Sequence, residues 1–135
     1  MEKTKILIVD DEPSLSRLVQ TMLDRTAAYD TAVENRPYRV LETARTFKPD
    51  LVLLDVDMPG QDGGDIMRAM QNDPALKDTA IIFLSSLVSK SEVGMRGREG
   101  QEHLFLSKPA EPVTLVNAIE DTLKATRPAM PAIHE

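Results

Sequence analysis

Three carboxylates, Asp10, Asp11 and Asp55, stand at the ends of short apolar runs in "KILIVDDEP" (5–13) and "DLVLLDVDMPGQDG" (50–63). Brought within a few ångströms, such groups repel one another and raise each other's pKa unless a cation is present. Mg2+ suits them, because it takes hard oxygen ligands and keeps several waters beside one or two carboxylates. Beside such a metal a carboxylate is also a nucleophile, able to attack a phosphoryl group and form an acyl phosphate. Asp55 is the candidate nucleophile, since it ends the run that reads as a central strand. Two further groups complete the needs of phosphoryl transfer. Lys108 could neutralise phosphoryl oxygens as charge spreads onto them, and the Ser85 hydroxyl could donate a hydrogen bond to one.

Taken singly, each group has a plainer explanation. "DDEP" suits a helix N-terminus, where the dipole favours carboxylates and Pro13 fits the first turn. Pro59-Gly60 and Asp62-Gly63 are ordinary turn chemistry. Lys108 alone reads as a surface lysine before a proline, and Ser85 as a strand-end hydroxyl. Only placement at one end of one sheet would join them, so the elements that carry them decide the matter.

Those elements alternate. "KILIVD" (5–10), "LVLLD" (51–55), "IIFLS" (81–85) and "HLFLS" (103–107) read as strands, the first three apolar enough to be covered on both faces. "YDTAV" (29–33) is a weaker strand that fits an edge. Apolar residues at helical spacing follow in Leu15, Leu18, Val19, Met22 and Leu23; in Val40, Leu41, Ala44 and Phe47; in Ile66, Met67 and Met70; and in Leu115, Val116, Ile119 and Leu123. Strands alternating with helices predict an α/β fold, a doubly wound five-stranded parallel sheet with helices on both faces. Ligands bind such a sheet beyond the carboxyl ends of its strands, where strand order reverses. Asp10, Asp11, Asp55, Asp57, Ser85 and Lys108 all follow or close a strand. The stretch 91–103 is expected to hold only a short or irregular helix, because Gly94, Gly97 and Gly100 each weaken a helix by about 1 kcal/mol.

Composition narrows the function classes. At 135 residues the chain has the size of one domain. Its 16 basic and 22 acidic residues give a net charge of −6, the wrong sign for gripping phosphate backbones, so no direct nucleic-acid binding is expected. The absence of cysteine removes disulfides, thiolate metal sites and cysteine nucleophiles. No run approaches a spanning helix, so a cytoplasmic protein without membrane association is expected. Met67 and Met70 read as core, while His103 and His134 lack a second ligand at metal spacing. Residues 127–135, with two prolines and no periodicity, read as a mobile tail or the start of a linker.

The motifs together resemble the receiver domains of two-component response regulators over residues 5 to about 126, so residues 1–126 are taken as that domain. "ILIVDDEP" is similar to the family's acidic first strand, "DLVLLDVDMPGQDG" to its phosphoacceptor motif, "IIFLSS" to its fourth strand and "FLSKP" to its lysine-proline pair. The resemblance implies the flavodoxin-like strand order 2-1-3-4-5. It implies that Asp55 takes a phosphoryl group from a histidine on a sensor kinase or phosphotransfer protein. Mg2+ would be held by Asp10, Asp11, Asp55 and the backbone carbonyl of Asp57, with Ser85 and Lys108 on the phosphoryl oxygens. Lys108-Pro109 would be a cis peptide. Ser85 and Phe105 would form the switch, passing the change to the surface of the fourth and fifth helices and fifth strand, where a downstream protein or output domain binds. Alternation in "HLFLS" independently sends Phe105 to the face opposite Leu104 and Leu106. Two positions where the family varies, Asp57 and Leu87, are expected to tune acyl-phosphate lifetime.

Two rivals stand beside this reading. "LLDVDM" is also similar to the DxD motif of haloacid-dehalogenase-type phosphatases, in which the first Asp is phosphorylated and the second is the general acid and base. That motif sits near the chain start, whereas a complete strand with its own acidic pair precedes Asp55 here. The other rival, a receiver fold that signals without phosphorylation, usually lacks part of the acidic pair, the acceptor or the lysine; this chain keeps all of them.

Overall fold

A computed structural model describes residues 3–58, 63–85, 94–96, 103–108 and 110–126. Its strands are β1 (Thr4–Val9), β2 (Tyr29–Glu34), β3 (Leu51–Asp55), β4 (Ala80–Ser85), β5 (Gly94–Arg96) and β6 (His103–Ser107). Its helices are α1 (Pro13–Asp24), α2 (Val40–Phe47), α3 (Gly63–Gln71) and α4 (Pro112–Thr126), with a 3-10 turn at Pro37–Arg39 leading into α2. The sheet order is β2-β1-β3-β4-β6-β5. The first five strands in that order are parallel, as the apolar runs predict, and the weak strand at 29–34 does lie at an edge.

The sheet divides two apolar layers because successive side chains in a strand point to opposite faces. Ile6, Ile8, Leu51, Leu53, Ile82, Leu84 and Leu106 pack on one face with Leu23 of α1 and Leu115, Ile119 and Leu123 of α4. Leu7, Val9, Val52, Leu54, Ile81 and Phe83 pack on the other with Val40 and Ala44 of α2 and Ile66 and Met70 of α3. Every residue of β3 and β4 is buried. Residues at the carboxyl ends of these strands are therefore held by rigid, doubly covered backbone.

One expectation is corrected. Within 91–103, expected to carry a short or irregular helix, residues 94–96 form β5, which runs antiparallel to β6 with Gly94 opposite Phe105, while 91–93 and 97–102 lie outside the described residues. Gly94, in place of a strong helix former, weakens the helical preference of 94–96. The free edge of β6 then offered a ladder of hydrogen bonds that three residues could take. Five parallel strands in the expected order thus gain a sixth, and the helix expected to be fifth is α4. Pro109, Leu87 and the tail at 127–135 lie outside the described residues.

Candidate functional site

The strand ends bring the acidic residues together. Asp55 closes β3 and is buried, and Asp10, the residue after β1, is buried beside it, with Asp11 half-exposed. One carboxylate oxygen from each of the three lies within 4.8 Å of the others. Pro13 opens α1 as expected, and the turn before it is set by the Glu12 N–H, which donates to Asp10 Oδ1 at 2.9 Å.

Lys108, just past β6, reaches into this acidic group with little exposure. Its Nζ lies 3.1 Å from Asp55 Oδ1 and 3.6 Å from Asp10 Oδ2. The Lys108 N–H also donates to the Ser85 carbonyl at 3.0 Å, tying the ends of β4 and β6. Burial alone would push the Lys108 pKa down, but the Asp55 and Asp10 carboxylates more than offset it, so the ammonium is held charged. Asp10 is pushed up to about 6, first by burial and then by the facing Asp55 carboxylate, against the opposing pull of the Glu12 N–H and Lys108.

Asp55 itself is only half satisfied. Its Oδ1 accepts from the Asp57 N–H at 2.9 Å and faces Lys108, while its Oδ2 is buried with no hydrogen-bond partner among the described residues. A buried carboxylate oxygen without a donor is costly unless something binds it. Three converging carboxylates with one orphaned oxygen fit a hard divalent cation.

The remaining expected residues fall into place unevenly. The Ser85 hydroxyl is at the site, donating to Asp57 Oδ1 at 3.1 Å. Asp57 thus presents its carboxylate to Ser85 and its N–H to Asp55. Phe105 is half-buried on the sheet face away from Leu104 and Leu106, its ring stacked on Phe83 at 4.8 Å. His103 is edge-on to the same Phe83 ring and burial lowers its pKa, in keeping with a structural role.

Sequence reasoning missed the end of β2 because that strand is weakly patterned. There Glu34 is buried, accepting from Thr43 Oγ1 at 2.5 Å and from the N–H and Nε of Arg36 at 3.0 Å each. Burial would raise the Glu34 pKa, but these donors together lower it. Inspecting the carboxyl end of every strand, including the weak one, would have found Glu34 and Asn35. Gly63 was also missed: a Cβ there would meet Val56 Cγ1 at 2.9 Å and the Asp55 carbonyl at 3.2 Å, and the paired glycines opening a helix were its signal.

The response regulator receiver domain family matches residues 6–120. The chain is 33% identical over 122 residues to the DNA-binding response regulator MtrA of Mycolicibacterium smegmatis, a match covering 90% of this chain and 51% of that protein. It is 34% identical over 114 residues to the response regulator PleD of Caulobacter vibrioides, covering 82% of this chain and 24% of that one. The chain thus spans about half the length of the first relative and about a quarter of the second. Among solved structures, the chemotaxis protein CheY4 of Vibrio cholerae superimposes with a TM-score of 0.76 at 27% identity, over 90% of this chain and 99% of that one. A sensor protein from Polaromonas sp. JS666 shares the fold, with a TM-score of 0.80 at 23% identity over 93% of this chain and 100% of that one. An acidic cluster at the carboxyl ends of parallel strands, in a chain matched along most of its length, makes this protein a member of the response regulator receiver domain family, a signalling domain of two-component systems.

Proposed function

We propose that Asp55 is the phosphoacceptor of this receiver domain, taking its phosphoryl group from a phosphohistidine on a sensor kinase or histidine phosphotransfer protein. The carrying observation is the buried Asp55 carboxylate, whose Oδ2 has no partner among the described residues while Oδ1 is fixed by the Asp57 N–H and Lys108. An Asp55 oxygen forms the new P–O bond as the donor's P–N bond breaks, and the imidazole leaves with the electron pair. Asp10, Asp11, Asp55 and the Asp57 carbonyl would hold Mg2+, which would supply positive charge to the phosphoryl oxygens. Lys108 already lies within 3.1 Å of Asp55, so it can follow charge onto those oxygens without long motion. Ser85 donates to a phosphoryl oxygen, and Phe105 follows it to alter the surface of β6 and α4 presented to a downstream protein or output domain. The chain catalyses only its own phosphorylation and dephosphorylation, works in the cytoplasm and does not itself grip nucleic acid. Among the described residues no helix is long and apolar enough to cross a membrane.

The test is intact mass after incubation with Mg2+ and a small acyl-phosphate donor. Gain of one phosphoryl group by the parent, absent in Asp55→Asn, is the expected result; no gain with the donor or with a phosphohistidine partner refutes the reading.

Asp57 and Leu87 are proposed to set the lifetime of the acyl phosphate. The Ser85 hydroxyl, now donating to the Asp57 carboxylate, must leave it to reach a phosphoryl oxygen. A charged acceptor holds that hydroxyl about 1 kcal/mol more firmly than a neutral one, so Asp57→Asn should slow decay of the acyl phosphate roughly fivefold. Leu87→Asn, admitting water, should hasten it. Decay followed by mass spectrometry that matches the parent in both variants overturns the assignment.

A further inference from the structure

We propose that Asn35 is a positioning residue for the metal-binding carboxylates, acting through the backbone of Asp10. This rests on the reading of Asp10, Asp11 and Asp55 as a Mg2+ site. Asn35 follows β2 directly, and its Nδ2 donates to the Asp10 carbonyl at 2.7 Å and to Ser16 Oγ of α1 at 2.9 Å. Ser16 is buried, and its Oγ lies 3.1 Å from the Pro13 carbonyl in the first turn of α1. One amide therefore joins the end of β2, the acidic turn after β1 and the helix that follows it.

Every other handle on Asp10 is also held. Its N–H donates to the Glu34 carbonyl at 3.3 Å, and its Oδ1 accepts from the Glu12 N–H. Turning the peptide between Asp10 and Asp11 would move the Asp10 carbonyl and swing the Asp11 carboxylate. Asn35 stops that rotation. Asn35 is itself steadied, because the preceding Glu34 is fixed by Thr43 of α2 and by Arg36. Hydrogen bonds of this outer kind orient metal ligands, and their loss weakens metal binding without removing any ligand.

The experiment is an amide chemical-shift titration of the whole chain with MgCl2, for the parent, Asn35→Ala, Ser16→Ala and the double variant. Asn35→Ala should raise the half-saturating Mg2+ concentration roughly tenfold, with Ser16→Ala raising it less. The double variant should bind no more weakly than Asn35→Ala, because Ser16 acts only through the amide. Phosphoryl incorporation at saturating Mg2+ should stay within about twofold of the parent, since no group that touches the phosphoryl is altered. A purely structural role would lower the unfolding midpoint in chelator and leave Mg2+ affinity within about twofold; that result overturns the inference. Where Asn35→Ala does not fold, Ser16→Ala decides alone, and an affinity equal to the parent's overturns it. A parent that shows no Mg2+-dependent shift near Asp10, Asp11 or Asp55 overturns the metal reading, and this inference with it.

Discussion

Replacing Lys108 by methionine is expected to cost the metal-free protein about 3 kcal/mol of unfolding free energy at neutral pH. Methionine keeps the apolar stem and removes only the cation. The Asp55 and Asp10 carboxylates, at 3.1 and 3.6 Å from Nζ, then face each other without that cation. The penalty depends on pH. The Asp10 pKa is already raised from 3.8 to about 6, chiefly by burial and then by Asp55. The native state therefore binds more protons than the unfolded chain between about pH 4 and pH 6, and its stability falls as pH rises through that window. Lys108 opposes this shift, so without it the window widens upward and the deficit is larger at neutral pH than near about pH 5. Mg2+ should recover part of the loss in both cases. Urea unfolding in chelator and in Mg2+, at the two pH values, measures all of this. Equal midpoints for parent and variant would show that Lys108 does not compensate the carboxylates. Phosphoryl incorporation should fall as well, because the cation proposed to follow the transferred charge is gone.

The second large effect is expected from Gly63→Val. A Cβ at Gly63 would stand 2.9 Å from Val56 Cγ1, 3.1 Å from Val56 Cα and 3.2 Å from the Asp55 carbonyl. Two of those three atoms are backbone and cannot turn aside. Overpacking of this kind costs about 1–3 kcal/mol, and the two added methyls put valine near the top of that range. Replacing glycine within a helix recovers less than about 1 kcal/mol of helix propensity, so the collision wins. The strain falls on the backbone that carries Asp55, the proposed phosphoacceptor, so the rate of phosphoryl incorporation should drop with stability. Gly63→Ala should show the same loss at reduced size. Thermal unfolding and intact-mass time courses check both, and a Gly63→Val protein with the parent's unfolding midpoint would mean that the α3 N-terminus moves away freely.

Burial explains why so much of the fold was legible. The runs "ILIV", "LVLL" and "IIFL" carry their own statement that both faces are covered, and helical spacing in Leu15 to Leu23 needs no distant partner to be read. Asp55 and Asp10 were legible for the same reason, since charge at the end of such a run has to sit where the sheet opens. The segment at 94–96 was not legible, because its pairing with β6 depends on an edge left free elsewhere in the chain.

The amino-acid sequence by itself determined the alternation of strands and helices, the parallel sheet and the residues gathered at its carboxyl ends. These follow from local periodicity and from the cost of leaving apolar groups in water. Only the tertiary structure decided how those residues are paired: Lys108 against Asp55 and Asp10, Ser85 on Asp57, Asn35 on the Asp10 carbonyl, and Gly63 beneath the Asp55 backbone. A hydrogen bond or ion pair is made at a few ångströms between groups far apart in the chain, and strand register, which no local pattern encodes, sets which groups meet.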